Sequence, residues 1–104
     1  MELLKLTINC RQNKRGELFR TCQSIAEQTR FETGCMQSLV EQDSNENVIF
    51  LEQQWNQWPE LNIYLSSDYF KALLGAMKFL GQSYEIKING ILQQAGKSFV
   101  KTNS

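Results

Sequence analysis

The sequence predicts an α+β domain in the order βαββαβ, a ferredoxin-like fold with a four-stranded antiparallel sheet and both helices on one face. Three observations predict it. Four segments alternate apolar and polar residues with a period of two. Two longer runs follow the helical period, one between the first and second alternating segments and one between the third and fourth. The second and third alternating segments are separated only by Asp43-Ser44-Asn45-Glu46-Asn47, a dense run of turn formers that reads as a hairpin connection.

The first strand spans Leu3 to Cys10, with Leu4, Leu6 and Ile8 on one face and Leu3, Lys5, Thr7 and Asn9 on the other. A polar turn from Arg11 to Lys14 leads into a helix from Lys14 or Arg15 to Phe31. Leu18, Cys22, Ile25, Ala26 and Thr29 form its inner stripe, and Gly34 marks its stop. The second strand covers Cys35 to Gln42 and the third Val48 to Trp55, where Ile49, Leu51, Gln53 and Trp55 oppose Val48, Phe50, Glu52 and Gln54. Pro59 suits the first position of a helix, where its missing N–H is not needed, and this helix runs to about Ser66. Ser67 or Asp68 caps a second piece through Leu80, with Phe70, Leu73, Leu74, Met77 and Leu80 at helical spacing. Gly81 ends it, and Tyr84 to Leu92 is the fourth strand. Residues 1–93 thus form one domain, and 94–104 a polar C-terminal tail or an arm that reaches a partner.

Composition excludes more than it assigns. Eleven basic residues balance eleven acidic ones and are scattered, so nothing suggests a nucleic-acid partner. No apolar run approaches the roughly 20 residues that span a bilayer, and MELLKLTINC lacks the parts of a signal peptide, so a cytoplasmic location without membrane partners is expected. Cys10, Cys22 and Cys35 form no C-x-x-C pair and read as small core residues in a reducing compartment. The chain has no histidine, which removes Ser-His and Cys-His nucleophiles, histidine-ligated zinc and proximal-histidine haem. No metal site is expected.

Aromatic residues concentrate where the third strand gives way to helix, from Val48 to Phe70, a stretch that holds both tryptophans and makes either a core corner or one wall of a pocket. The third strand is apolar or aromatic on both faces, so the sheet face without helices is expected to be buried by dimerisation.

The chain resembles the antibiotic biosynthesis monooxygenase (ABM) domains over about residues 3 to 92. The resemblance rests on Gly34-Cys35 after the first helix, on Gln53-Gln54-Trp55 at the end of the third strand, on Tyr64-Leu65-Ser66-Ser67-Asp68-Tyr69-Phe70 in the second helix, and on the spacing from Trp55 to Leu65. It implies a dimeric α+β barrel, a homodimer whose sheets face each other, with a small aromatic molecule held between sheet and helices of each subunit. It also implies cofactor-independent oxidation of a small aromatic quinol or polyketide-like substrate by dioxygen. The electron-rich substrate supplies the electrons, while the protein binds it, helps deprotonate it and shields it from water. Asn9, Trp55, Tyr64 and Tyr69 are then the catalytic candidates, and Phe50, Gln53, Phe70, Leu74 and Met77 the substrate-binding ones. Glu52 is a further carboxylate on the sheet. Two positions depart from the family pattern: its usual glutamate is Gln53 and its usual histidine is Tyr64. The haem-degrading branch shares the strand-one asparagine at Asn9 but has a haem-ligating histidine where this chain has Leu73, Leu74 and Gly75. The competing reading is a dimeric module that binds or senses a small ligand without turnover, and haem binding, which would need a ligand such as Tyr or Cys, ranks third.

Overall fold

Alternation fixes the centre of the sheet. Leu4, Leu6 and Ile8 project inward from β1 (Glu2–Cys10), and Ile49, Leu51, Gln53 and Trp55 project inward from β3 (Val48–Trp55), all fully buried. The structure is a computed structural model and describes residues 1–95. It pairs β1 and β3 antiparallel, with Leu6 opposite Leu51 and Ile8 opposite Ile49. β2 (Cys35–Asp43) flanks β3, β4 (Gly81–Ile88) flanks β1, and β5 (Ile91–Ala95) follows β4, giving the antiparallel order β2-β3-β1-β4-β5. α1 (Gln12–Thr29) and α3 (Asp68–Leu80) pack against each other over one sheet face, and α2 (Trp58–Leu65) leads from the end of β3 into α3.

The helices close the core with Leu18, Cys22 and Ala26 from α1 and Phe70, Leu73, Met77 and Leu80 from α3. Each fully buried leucine or isoleucine contributes about 1.5–3 kcal/mol by leaving water. α3 starts where Ser67 Oγ accepts a hydrogen bond from the Phe70 N–H at 3.2 Å, with Asp68 in its first turn and Lys78 in its last complementing the helix dipole. α1 begins earlier than its apolar stripe, because the N–H groups of Lys14 and Arg15 already reach the Arg11 carbonyl at 3.0 Å. It also ends earlier, at Thr29. Phe31, 86% exposed, lies in a tightened turn beyond the stripe.

The sheet has five strands, not the four expected. The segment from Tyr84 to Leu92, expected as a single strand, is broken at Asn89-Gly90, whose φ angles are 52° and 82°. Two successive positive φ angles make the two-residue turn whose twist matches a β-hairpin, so β5 folds back on β4 with Ile88 opposite Ile91. Asn89 also anchors the turn to β1: its N–H donates to the Leu3 carbonyl, and its Oδ1 accepts from the Leu3 N–H, both at 2.8 Å. Ordered pairing thus continues to Ala95, past residue 93, and most of the expected tail or arm, residues 96–104, lies outside the described residues.

The sheet face away from the helices is a mosaic rather than an apolar surface. Leu3 and Leu39 are 38% and 42% exposed, Val48 and Phe50 are half-buried, and Lys5, Glu52, Glu85 and Lys87 lie among them. No helix among the described residues is long and apolar enough to cross a membrane.

Candidate functional site

Because side chains two apart on a strand share a face, Gln53 and Trp55 both point under the helices from the end of β3. Trp55 donates its indole N–H to Gln53 Oε1 at 3.2 Å. The Gln53 amide nitrogen donates to Ser38 Oγ and to Tyr64 Oη, each at 3.2 Å, so both of its N–H bonds have an acceptor. Tyr64, brought over from α2, stacks on Trp55 with ring centroids 4.8 Å apart and meets Phe70 edge-on at 5.5 Å. Its hydroxyl also lies 3.4 Å from Thr29 Oγ1, and Thr29 in turn donates to the Ile25 carbonyl at 2.7 Å. Four elements and α3 therefore meet at one buried, hydrogen-bonded corner.

That corner has no free polar group. Gln53, Ser38 and Thr29 are 0%, 1% and 0% exposed, and each polar partner is used. Burial pushes the Tyr64 phenol up from its ordinary range; bonds to Thr29 and Gln53 oppose the shift, while Cys35 and the Glu32 charge add to it. Tyr64 is therefore a neutral phenol at ordinary pH. Burial likewise pushes the Cys35 thiol up, against the Gln37 backbone bond and the Arg30 charge, and Glu32 again raises it.

A cleft of about 350 Å³ opens beside this corner, lined by Glu32, Thr33, Trp55, Glu60, Ile63 and Tyr64. It lies where the connection after α1, the end of β3 and the start of α2 come together. The floor depends on Gly34, whose φ is +89°. A Cβ there would overlap Glu60 Cδ and Oε1 and approach Glu60 Cβ to 2.7 Å, so only glycine lets the Glu60 side chain lie across this backbone. The Gly34 carbonyl accepts from the Asn56 N–H at 2.8 Å, which fixes the loop to the end of β3. Glu60 Oε1 is buried and has no hydrogen-bond partner among the described residues. Gly34→Ala is expected to lower stability by about 1–3 kcal/mol in urea denaturation, combining left-handed strain with displacement of Glu60. An unchanged midpoint would contradict this packing.

Four of the residues singled out by sequence come together: Gln53, Trp55, Tyr64 and Phe70. The others do not join them. Asn9 sits at the opposite end of β1, exposed on the helix-free face, where its Nδ2 donates to Ser83 Oγ at 3.1 Å. Phe50 shares that outer face, opposite Thr7 and Glu41. Glu52 lies on the same face, opposite Lys5. Tyr69 is 41% exposed on α3. Met77 is a fully buried core residue, and Leu74 packs against the core without lining the cleft. The cleft's own lining, Glu32, Thr33, Glu60 and Ile63, went unread. Glu60 in a helix's first turn has an ordinary electrostatic explanation, and nothing local to Gly34 says which side chain will cover it.

A cleft of about 360 Å³ lies elsewhere, between Arg11, Lys14 and Phe79–Gln82, and contains none of these residues. Among the described residues no group of three or more His, Cys, Asp or Glu is placed to hold a metal ion.

No family model matches the chain, and no curated protein matches it. Solved structures do match in fold. A candidate antibiotic biosynthesis monooxygenase from Deinococcus radiodurans superposes with a TM-score of 0.75 at 22% identity, covering 93% of this chain and 94% of that one. Another candidate from Nitrosomonas europaea gives 0.76 at 12% identity, covering 86% and 97%. A conserved protein of unknown function from Bacteroides thetaiotaomicron, described as a possible oxidoreductase, gives 0.76 at 14% identity, covering 84% and 93%. The chain is an α+β protein with an antibiotic biosynthesis monooxygenase-like fold.

Proposed function

We propose that the chain is an ABM-type oxidoreductase that oxidises a small electron-rich phenol, hydroquinone or polyketide-like ring with dioxygen, without a bound cofactor. The cleft beside Trp55 and Tyr64 is the binding place. The observation that carries this reading is a cleft of about 350 Å³ whose lining brings the Glu60 carboxylate together with Ile63, Trp55 and Tyr64, with Glu60 Oε1 buried and without a hydrogen-bond partner among the described residues. A phenolic O–H fits the Glu60 carboxylate as a hydrogen-bond donor, and removing the proton raises the electron density of the ring. A hydroquinone then gives two electrons and two protons to dioxygen, leaving a quinone and hydrogen peroxide. A polyketide-like ring with an activated CH₂ takes one oxygen atom as C=O, and the other leaves as water. Glu60 receives the proton, the exposed Ile63 packs on the ring, and neutral Tyr64, buried beneath the cleft, keeps its proton throughout.

The working unit in this reading is a homodimer joined through the helix-free sheet face. Leu3, Leu39, Val48 and Phe50 supply its apolar contacts, and Lys5, Glu52, Glu85 and Lys87 its polar ones. Sedimentation as a monomer at micromolar concentration would remove this part of the proposal.

A second reading, ligand binding without turnover, draws support from Gln53 and Tyr64. They stand at the positions of the family's glutamate and histidine and are fully engaged in the buried corner. Oxygen consumption separates the two. With a panel of hydroquinones and anthrones, uptake above the spontaneous rate is expected, and Glu60→Gln should lower it by about 10²-fold or more. Tight binding with no uptake above background would replace the enzyme with the binding module.

A further inference from the structure

Asn89-Gly90 is the one Asn-Gly dipeptide in the chain. It forms the turn between β4 and β5, with both residues exposed and at positive φ. An asparagine side-chain carbonyl is open to attack by the backbone nitrogen of the next residue, and glycine there has no Cβ to hinder the approach. No neighbouring group crowds the Cβ position of Gly90 within 4 Å. The Asn89 side chain is also activated. The Leu3 N–H donates to its Oδ1 at 2.8 Å, where it draws electron density from Cγ and stabilises the negative charge that builds on the oxygen during attack. β5 is a five-residue edge strand with Ile91 and Leu92 67% and 43% exposed, so the turn opens locally at low cost. Asn47 supplies the contrast. It too has a positive φ, 55°, but the next nitrogen belongs to the β-branched Val48 at the start of β3.

We propose that Asn89 is a site of spontaneous deamidation that unlatches the β4–β5 turn from β1. The Gly90 nitrogen attacks Asn89 Cγ: the N–Cγ bond forms, the Cγ–Nδ2 bond breaks, and ammonia leaves with the Gly90 amide proton. Water then opens the cyclic imide at either carbonyl, giving aspartate or isoaspartate, with no change of oxidation state. The latch is the Asn89 Nδ2 group, which donates to Glu2 Oε1 at 2.9 Å. A carboxylate has no such proton, so either product sets a second negative charge against Glu2. Isoaspartate also adds a methylene to the main chain, which breaks the two-residue turn that sets Ile88 opposite Ile91. Glu2 lies across the β1–β3 ladder from Trp55, so the new charge appears at the end of the sheet that holds the buried corner.

The test ages the full, folded chain in mildly alkaline buffer and digests samples with trypsin, which releases the peptide from Ile88 to Lys97. Mass spectrometry reads the gain of about 1 Da, and an isoaspartyl methyltransferase labels the isoaspartate. The Asn89 peptide is expected to convert at least about ten-fold faster than a peptide carrying any other asparagine. Asn89→Gly, which suits the positive φ, should fold and show no gain in that peptide. Asn89→Asp, which carries the product charge on an ordinary backbone, should speed amide hydrogen exchange across β4 and β5 about ten-fold and leave β2 and β3 unchanged. The aged chain should show the same pattern, so the effect is measured even where the variant folds poorly. No mass gain at Asn89 in the folded chain, gain spread evenly over several asparagines, or unchanged exchange of β4 and β5 in the aged chain would overturn the assignment.

Discussion

Trp55→Ala is expected to lower the stability of the domain by about 3–5 kcal/mol, the largest single loss among the corner residues. The indole is fully buried at the last position of β3 and stacks on Tyr64 at 4.8 Å. Its removal leaves a cavity bounded by a rigid sheet on one side and α2 on the other. It also strips Gln53 Oε1 of its donor at 3.2 Å, and that oxygen cannot reach water from its buried position. A domain of this size has roughly 5–15 kcal/mol of total stability, so the variant loses a large fraction of it. Urea denaturation monitored by circular dichroism measures the loss, and a change below about 1 kcal/mol would show that the corner repacks around the missing ring.

Gln53→Glu, which introduces the glutamate of the ABM pattern, is expected to destabilise the protein in a pH-dependent way. The native amide donates to both Ser38 Oγ and Tyr64 Oη while accepting from Trp55, three roles that a carboxylate cannot fill without the two hydroxyls turning around. Burial disfavours the ionised form, so the introduced carboxyl has a folded-state pKa above its unfolded value near 4.3. The direction of the effect comes from proton uptake. Between those two values the folded variant holds a proton that the unfolded chain has released, so stability falls as pH rises. The deficit should be small below about pH 4, grow through the folded-state pKa, and reach about 2–3 kcal/mol near pH 8, because each tenfold gain in proton affinity on folding is worth about 1.4 kcal/mol. Melts at pH 4 and pH 8 against the parent chain measure it. A deficit independent of pH would mean that the charge is relieved by water or by movement of the corner.

Most of the fold could be read from the sequence because most of it is set by local periodicity. The inward set of β3, the break between α2 and α3 and the Ser67 cap follow from two-residue and 3.6-residue spacing and from side chains that act within one turn. The same logic failed at Asn89-Gly90, where apolar residues on both sides kept the alternation running through a turn whose signal was present in the dipeptide. The site was less legible. Sequence singled out Gln53, Trp55 and Tyr64 as candidates but not the hydrogen bonds that tie Gln53 to Tyr64 and to Ser38, because those bonds join residues 11 and 15 positions apart in the chain. Asn9 was chosen for its place in a family pattern. The pleat of β1, which alternates it away from the buried Ile8, puts it on the other side of the sheet. Glu60 emerged only with the tertiary contact to Gly34.

The corner formed by Ser38, Gln53, Tyr64 and Thr29 with Trp55 is built from hydroxyls, one amide and one indole. The only acid among them, the Tyr64 phenol, is pushed further from neutrality by its burial. The groups that hold these elements together therefore keep the same charge from mildly acidic to mildly alkaline solution, while Glu32 and Glu60 stand next to them at the cleft. The scaffold stays uncharged whatever the mouth carries. Substitution at Glu32 or Glu60 therefore changes the charge of the cleft without removing any hydrogen bond of the corner.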